Sequence, residues 1–327
     1  MPGKRPHAFH TRKAVLKIEG DSKLKELVIR ENDSQYSYFH ESSSQDHQII
    51  DSVQGKINAC PYCKSESIIK WGRKDNFIRY KCKKCHKTFS SSTSTLLDRH
   101  KLPIKTMLRF YINVITGSSI NEASKVAKIS LNTGVYWMKK AFYALKNYQV
   151  SILLSGNTYI DEKYISVDKS KLVLDDKGRK LRGLSRNKWC IAIGTDRVNT
   201  IVKLEGKGKI SSDRIMDAFA KNIKHGSTLI HDMDHSHDKL ITHLLLIDEG
   251  HKAIYKYKQI EELEPINKYC SAFAYFFRLH RGLEKEHLQG WLDFFSFIHS
   301  NTGNANEKAM KLIELIIKSD KIIRYRD

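Results

Sequence analysis

Thr158-Tyr159-Ile160-Asp161-Glu162 and Thr228-Leu229-Ile230-His231-Asp232 are the two stretches whose reading decides the fold. Each runs β-branched, aromatic and aliphatic residues into a carboxylate, the composition of a buried strand that ends in a charge. A carboxylate after positions that belong in a core is costly unless it binds a cation or a partner. Working outward, Trp189–Gly194, Thr200–Leu204 and Ala253–Tyr257 are further β-rich runs, the first strand itself extending over Thr158–Val167. No amphipathic helix separates the first three runs, so they suit an antiparallel meander. Helical runs at Ser211–Ile223 and Asp238–Ile247 precede the fourth and fifth strands, and residues 265–320 are helical again.

Three strands followed by α-β-α-β-α is the element order of a ribonuclease-H-like fold, a mixed α/β arrangement with helices on the faces of a mixed sheet. In that sheet the first and fourth strands are neighbours, which brings Asp161 and Asp232 together. Two such carboxylates suit Mg²⁺ or Mn²⁺, where one ion prepares a water or 3′-hydroxyl nucleophile and the other stabilises the leaving oxygen of a phosphoryl displacement. Taken singly, either Asp also reads as a strand-end or capping carboxylate. The cluster His231-Asp232-Met233-Asp234-His235-Ser236-His237 reads as a polar loop, with a histidine metal site as the less favoured alternative because its histidines lack the i, i+4 spacing of a helical site.

Upstream, Cys60-Pro-Tyr-Cys63 and Cys82-Lys-Lys-Cys85 form two knuckles that can converge four thiolates on one structural Zn²⁺, with no position open for catalysis. His86 is the alternative fourth ligand to Cys85. Trp71, Phe77 and Tyr80 are expected to pack on this small β-ribbon, with Lys83, Lys84 and Lys87 around it. Cys190 and Cys270 sit in apolar contexts and read as ordinary buried thiols. Next, Leu108, Tyr111, Ile112 and Ile115 follow helical spacing. Ile120–Ala127, a short turn and Leu131–Leu145 then read as helix-turn-helix, with Ser130 capping the second helix. Ile120, Ala123, Val126 and Ala127 form one apolar face; Val135, Met138, Phe142 and Leu145 form the other. In a DNA reader of this kind Asn132, Thr133 and Tyr136 face bases, with Lys139 and Lys140 nearer phosphate.

The charge agrees. The 327 residues carry 57 Lys+Arg against 36 Asp+Glu, a formal +21, and residues 56–150 alone hold 19 basic against 4 acidic side chains. So concentrated a charge favours double-stranded nucleic acid over a merely soluble surface. No apolar run approaches the ~18 residues of a membrane span, and the basic start lacks the apolar segment of a secretory signal, so a cytoplasmic, nucleoid-associated protein is expected. The expected domains are a polar, loosely ordered extension (1–55) with a short element near Leu24–Ile29, a zinc ribbon (56–100), a helix-turn-helix segment (101–150) and a ribonuclease-H-like unit with C-terminal helices (151–327).

With these pieces in order, the chain resembles insertion-sequence transposases of the ribonuclease-H-like DDE superfamily, in particular the ISXO-type group with an N-terminal zinc ribbon. The resemblance runs from about Cys60 to Arg326. It rests on Cys60-Pro-Tyr-Cys63, Thr93-Ser-Thr-Leu96, Tyr159-Ile-Asp161-Glu162, Arg182-Gly-Leu-Ser185, Gly226-Ser-Thr-Leu-Ile-His-Asp232, Ile266-Asn267, His280-Arg-Gly282 and Leu288-Gln-Gly-Trp-Leu292. It implies metal-dependent cleavage and strand transfer at element ends, with terminal repeats and target DNA as partners and a homodimer or higher synaptic assembly. Asp161 and Asp232 match the first two metal carboxylates. Asn267 matches the third position, with Glu264 in reserve and Glu162 a weaker candidate because adjacent strand residues face opposite sides. Relatives with Asn carry Lys or His seven residues later; here Ala274 stands there, and Arg278, one turn on, is the substitute. The alternative is a transposase-derived DNA-binding protein or regulator without catalysis. A structural ribosome- or RNA-associated ribbon protein is a third class, one that leaves the C-terminal half of the chain unexplained.

Overall fold

The computed structural model describes residues 42–55, 57–74, 77–98, 100, 102–167, 172–251, 261–280 and 285–324. Its centre is a five-stranded sheet of β4 (Asn157–Ser166), β5 (Lys188–Thr195), β6 (Thr200–Lys207), β7 (Thr228–His231) and β8 (Ile247–Gly250), in the order β6-β5-β4-β7-β8. β4, β5 and β6 pair antiparallel, whereas β7 runs parallel to β4 and β8 parallel to β7. That is the mixed sheet of the ribonuclease-H-like fold, with the meander on one side and two crossover strands on the other.

Alternation divides the sheet into two cores. Tyr159, Ile191, Ile193, Val202 and Ile230 face one side, where α7 (Glu264–Leu279) and α8 (Lys285–Ser300) pack. Ile160, Cys190, Ala192, Ile201 and Leu229 face the other, covered by α5 (Ser212–Phe219) and α6 (Asp238–Leu244) through Ile215, Phe219 and Leu240. The first core continues without a break into α2 (Ile104–Ile115), α3 (Ile120–Val126), α4 (Leu131–Leu145) and α9 (Ala305–Lys318). Gly290 permits the α4–α8 contact, since a Cβ there would stand 2.5 Å from Cγ of Phe142. Buried polar groups at this seam are satisfied: Gln149 donates to Asp293 Oδ1 at 2.6 Å and to the Val202 carbonyl at 2.9 Å, and its own oxygen accepts the Val202 N–H.

Residues 42–54 depart from the expected loose extension. They form α1 (Ser42–Gln54), which buries Ile49 and Ile50 in the main core. Asp46 accepts the Ile104 N–H with both carboxylate oxygens at 3.1 Å, capping α2 where Pro103 has no side-chain group to do so. Gln54 donates to the Ile317 carbonyl in α9 at 2.9 Å. The expected element near Leu24–Ile29 lies outside the described residues, as does Ala253–Tyr257, expected as the fifth strand. That strand is instead β8, because the helix expected over Asp238–Ile247 stops at Leu244, where Leu245 takes a left-handed turn (φ 47°). Among the described residues no helix is long and apolar enough to cross a membrane.

The helix-turn-helix geometry follows the expected bounds. Ser119 and Glu122 form a capping box on α3, Lys128 turns at φ 55°, and Ser130 accepts the Thr133 N–H at the start of α4. The two expected apolar faces are only partly buried: Ala123, Met138 and Leu145 are inside, while Val126 and Val135 are 49% and 39% exposed. The crossing is tight at Gly134, where a Cβ would lie 2.2 Å from Ser124 Oγ and 3.0 Å from Phe110. Gly134→Ala gains about 1 kcal/mol of helix propensity, yet overpacking of this kind costs about 1–3 kcal/mol. The variant is therefore expected to melt at a lower temperature than wild type, and a raised midpoint in a calorimetric scan would contradict the close crossing.

Candidate functional site

The N-terminal cluster is built by two matching turns. After Cys63 and after Cys85 the chain enters the left-handed region, at Lys64 (φ 58°) and His86 (φ 59°). The N–H groups of those residues return to the carbonyls of Cys60 and Cys82 at 2.9 and 3.0 Å. The turns bring all four sulfurs within 4.8 Å of one another, with Cys60–Cys85 at 3.6 Å and Cys63–Cys82 at 3.5 Å. No pair is bonded as a disulfide. Four sulfurs tetrahedral about one ion, each ~2.3 Å from it, stand roughly 3.8 Å apart, so the donor set fits a closed metal site. Backbone N–H groups of Cys85 and Lys84 pull the Cys82 thiol well below its ordinary value. His86 is exposed and stands outside the cluster.

The antiparallel ribbon of β1 (Ile68–Lys74), β2 (Phe77–Cys82) and β3 (Thr88–Phe89) carries the cluster. Its small core is Cys60, Cys82 and Phe89 with Ile57, Ile68 and Tyr80, and Tyr80 stacks on Phe89 at 5.7 Å. Trp71 corrects the expectation that it packs here. It is 48% exposed, with Lys81 Nζ 4.2 Å above its ring. The side chain of Phe77 lies outside the described residues. Lys83, Lys84 and Lys87 are exposed, and Lys87 sits over Tyr62.

Two of the expected DNA contacts on α4 are corrected by packing. Lys140 is 1% exposed, its ammonium 4.7 Å from the Tyr136 ring, and burial lowers its pKa to about 8. Tyr136 is half-buried and donates its hydroxyl to the Ile323 carbonyl at 2.8 Å. Helical phase explains both, since Trp137, Met138 and Lys140 all lie on the side of α4 that enters the core. Asn132 is exposed, and Thr133 and Lys139 are half-buried.

In the sheet, β4 and β7 pair Asn157 with Thr228 and Tyr159 with Ile230. Two residues further along the same register, Asp161 comes level with Asp232 just past the end of β7. Asp161 Oδ1 accepts the Glu162 N–H at 2.8 Å, while Oδ2 faces Lys163 Nζ at 3.3 Å and accepts the Cys270 thiol at 3.1 Å. Burial first, then the Asp161 carboxylate, drives the Cys270 thiol far above its ordinary pKa, so it remains a donor. Lys163 is held charged: burial opposes this, and Asp161 with its neighbours outweighs it. Cys270 thus corrects its reading as an ordinary buried thiol. It lies three residues after Asn267 on the same face of α7, a spacing that was available in the sequence. Asn267 is half-buried and Glu264 exposed in the first turn. Ala274 is exposed, as is Arg278, whose guanidinium lies 5.1 Å from the Tyr275 ring.

Glu162 faces the opposite side of the sheet. His237 Nε2 is 3.1 Å from its carboxylate, His237 Nδ1 is 2.8 Å from His231 Nδ1, and His231 Nε2 is 3.0 Å from Asp248. Burial raises the Glu162 pKa, with His237 opposing. Near the meander, a cavity of about 830 Å³ is lined by Arg179, Lys180, Arg182 and Lys188 with Asp175.

No protein-family model matches the chain. Over 127 residues it is 30% identical to an uncharacterized protein in the transposable element ISH50 of Halobacterium salinarum, covering 38% of this chain and 42% of that protein. The chain thus spans less than half the length of that curated relative. Among solved structures, the catalytic domain of the Mos1 mariner transposase matches with a TM-score of 0.30 and 15% identity, over 55% of this chain and 86% of that one. The Mos1 transposase paired-end complex with left transposon end gives 0.31 and 14%, over 63% and 74%. These overlaps are too loose to carry weight, and the fold is assigned on strand order.

Treatment with a metal chelator is expected to release the ribbon and leave the central sheet folded, because the ribbon core is three buried residues and the sheet has its own. Hydrogen exchange is expected to quicken in β1–β3 while β4–β7 stay protected; unchanged protection in β1–β3 would overturn this.

Proposed function

We propose that the chain is a transposase of the ribonuclease-H-like type, which binds the ends of its insertion sequence and catalyses divalent-metal-dependent cleavage and strand transfer. The observation that supports this reading is the β4–β7 register, whose continuation brings the backbones of Asp161 and Asp232 level on adjacent strands at the end of β7. The likeness over 127 residues to a protein carried by a transposable element supports it.

Asp161, with a quarter of its side chain exposed, and the open Asp232 offer hard carboxylate oxygens of the kind that suits Mg²⁺ or Mn²⁺. Bound there, such ions supply an activated water or 3′-hydroxyl and neutralise the leaving oxygen. Asn267 is the third member of the set in this reading, contributing an amide oxygen without charge, with Glu264 in reserve. Lys163 holds the Asp161 carboxylate in place, and Arg278 provides the cation that Ala274 lacks. Zn²⁺ fits Cys60, Cys63, Cys82 and Cys85 as a structural ion. Lys83, Lys84, Lys87, Asn132, Thr133 and Lys139 contact duplex DNA, and the basic cavity of Arg179, Lys180, Arg182 and Lys188 takes phosphate. Two such chains pair two ends.

The second reading is a DNA-binding remnant without catalysis. It is favoured by the exposed Ala274 and by the uncharged Cys270 thiol against Asp161. Labelled duplex carrying the DNA that flanks the gene separates the two, assayed with Mg²⁺ or Mn²⁺ and with EDTA. Wild type is expected to nick at element ends only with metal. Asp161→Asn and Asp232→Asn are each expected to lose about 100-fold or more in nicking while retarding the duplex in gels as wild type does. Binding by wild type with no nicking in any metal would favour the remnant instead.

A further inference from the structure

His231 and His237 are among the least exposed polar residues of the fold, at 3% and 0%. Their rings meet edge to face with centroids 4.8 Å apart, and it is the two Nδ1 atoms that confront each other, at 2.8 Å. The Met233 N–H donates to His231 Nδ1 at 3.2 Å, so that nitrogen presents its lone pair. His237 Nδ1 must then carry the proton between the rings. Each Nε2 faces a carboxylate, that of His237 on Glu162 and that of His231 on Asp248, at 3.1 and 3.0 Å. A histidine that ligates a metal characteristically gives its other ring N–H to a carboxylate or carbonyl, which fixes ring and tautomer. His231 shows that arrangement as it stands, and His237 shows it in the tautomer protonated on Nε2, with the two Nδ1 atoms converging. A carboxylate oxygen of Asp232 completes a group whose three donor atoms lie within 4.8 Å of one another.

We infer that His231 Nδ1, His237 Nδ1 and the Asp232 carboxylate form a transition-metal site of the Zn²⁺ class, separate from the four-cysteine cluster. Two imidazole nitrogens on a tetrahedral ion ~2.0–2.1 Å from each stand roughly 3.3 Å apart, so the rings need open by only about half an ångström. With the ion bound, the His237 ring proton sits on Nε2, where it is donated to Glu162, Nδ1 gives its lone pair to the ion, and the fourth position is a water. Glu162, Asp232 and Asp248 supply the negative charge that a dication needs in a buried place, and the exposed Asp232 provides the way in. Two nitrogen donors select Zn²⁺, Co²⁺ or Ni²⁺ over Mg²⁺, which demands oxygen. The sequence spacing argues against the site because its histidines are six residues apart, joined through a strand end and a one-turn 3₁₀ helix (His235–His237) rather than along one helix face. The site draws on the same Asp232 as the proposed catalytic pair, and its test reads metal binding rather than cleavage.

The test is a Co²⁺ titration of the full-length protein with zinc retained in the ribbon. Wild type is expected to bind one Co²⁺, seen as visible d–d bands without the near-ultraviolet thiolate-to-cobalt charge transfer that exchange at the cysteines produces. His237→Gln is expected to abolish it. Because His237 is buried and that variant can misfold, Asp232→Asn and Glu162→Gln run alongside, each expected to weaken Co²⁺ about 10–100-fold. Contact-shifted imidazole ring N–H resonances are expected in wild-type ¹H spectra. Absence of the bands in wild type, or their survival in folded His237→Gln, would overturn the site. So would their loss in Asp161→Asn with His237→Gln unaffected, which would place the ion on the Asp161–Asp232 pair.

Discussion

Neighbouring residues of a β-strand cannot share a face, and in β4 that constraint separates Asp161 from Glu162 and with them two chemistries. Asp161 projects under α7, where Lys163, two residues on and therefore on its own side, and Cys270 from the helix hold its carboxylate. Glu162 projects to the α5–α6 side, where it orients His237. The same alternation in β7 sends Ile230 toward the first core and His231 toward the second. A one-residue slip of β7 against β4 would turn Ile230 and His231 to the opposite faces while Asp161 and Glu162 stayed in place, so a single hydrogen-bonded register determines which donors meet on each side of the sheet.

The helix-turn-helix is part of this framework. Phe142 of α4 seats against Gly290 and Trp291 of α8, and α8 in turn rests on β6 through Ser296, whose hydroxyl donates to the Thr200 carbonyl. Gln149 and Asp293 bridge the same seam in the interior, each partner satisfied. Residues that the sequence divides by composition therefore share one core, and α4 is oriented by the same packing that supports the sheet.

Strands β4 and β7 were legible because their apolar runs are uninterrupted up to the aspartate. β8 was not, since Ile247-Asp248-Glu249-Gly250 is an edge strand with mostly exposed side chains and no alternation to read. The cysteine knuckles were legible because two-residue spacing permits one local turn at each. Trp71 and Lys140 misled in opposite senses: an aromatic residue on the outer side of a ribbon, and a lysine whose helical phase turns it inward although its neighbour Lys139 stays half-exposed. Cys270 meets Asp161 through long-range register, which composition does not carry, and the His231–His237 pair depends on a strand end and a 3₁₀ turn that the spacing does not announce. The apolar content of α1 is Ile49, Ile50 and Val53 in an otherwise polar helix, too slight to distinguish from an extension.

The docking of α1 against α9 has a temporal consequence. Gln54 bonds to Ile317, 263 residues downstream, and Ile49 and Ile50 share their core with Leu312 and Ile316. During synthesis at ~5–20 residues per second, α1 leaves the ribosome many seconds before α9 is made, and in that interval it has its Asp46 contact to α2 but not its α9 partners. The main core is thus closed only when its earliest and latest helices meet.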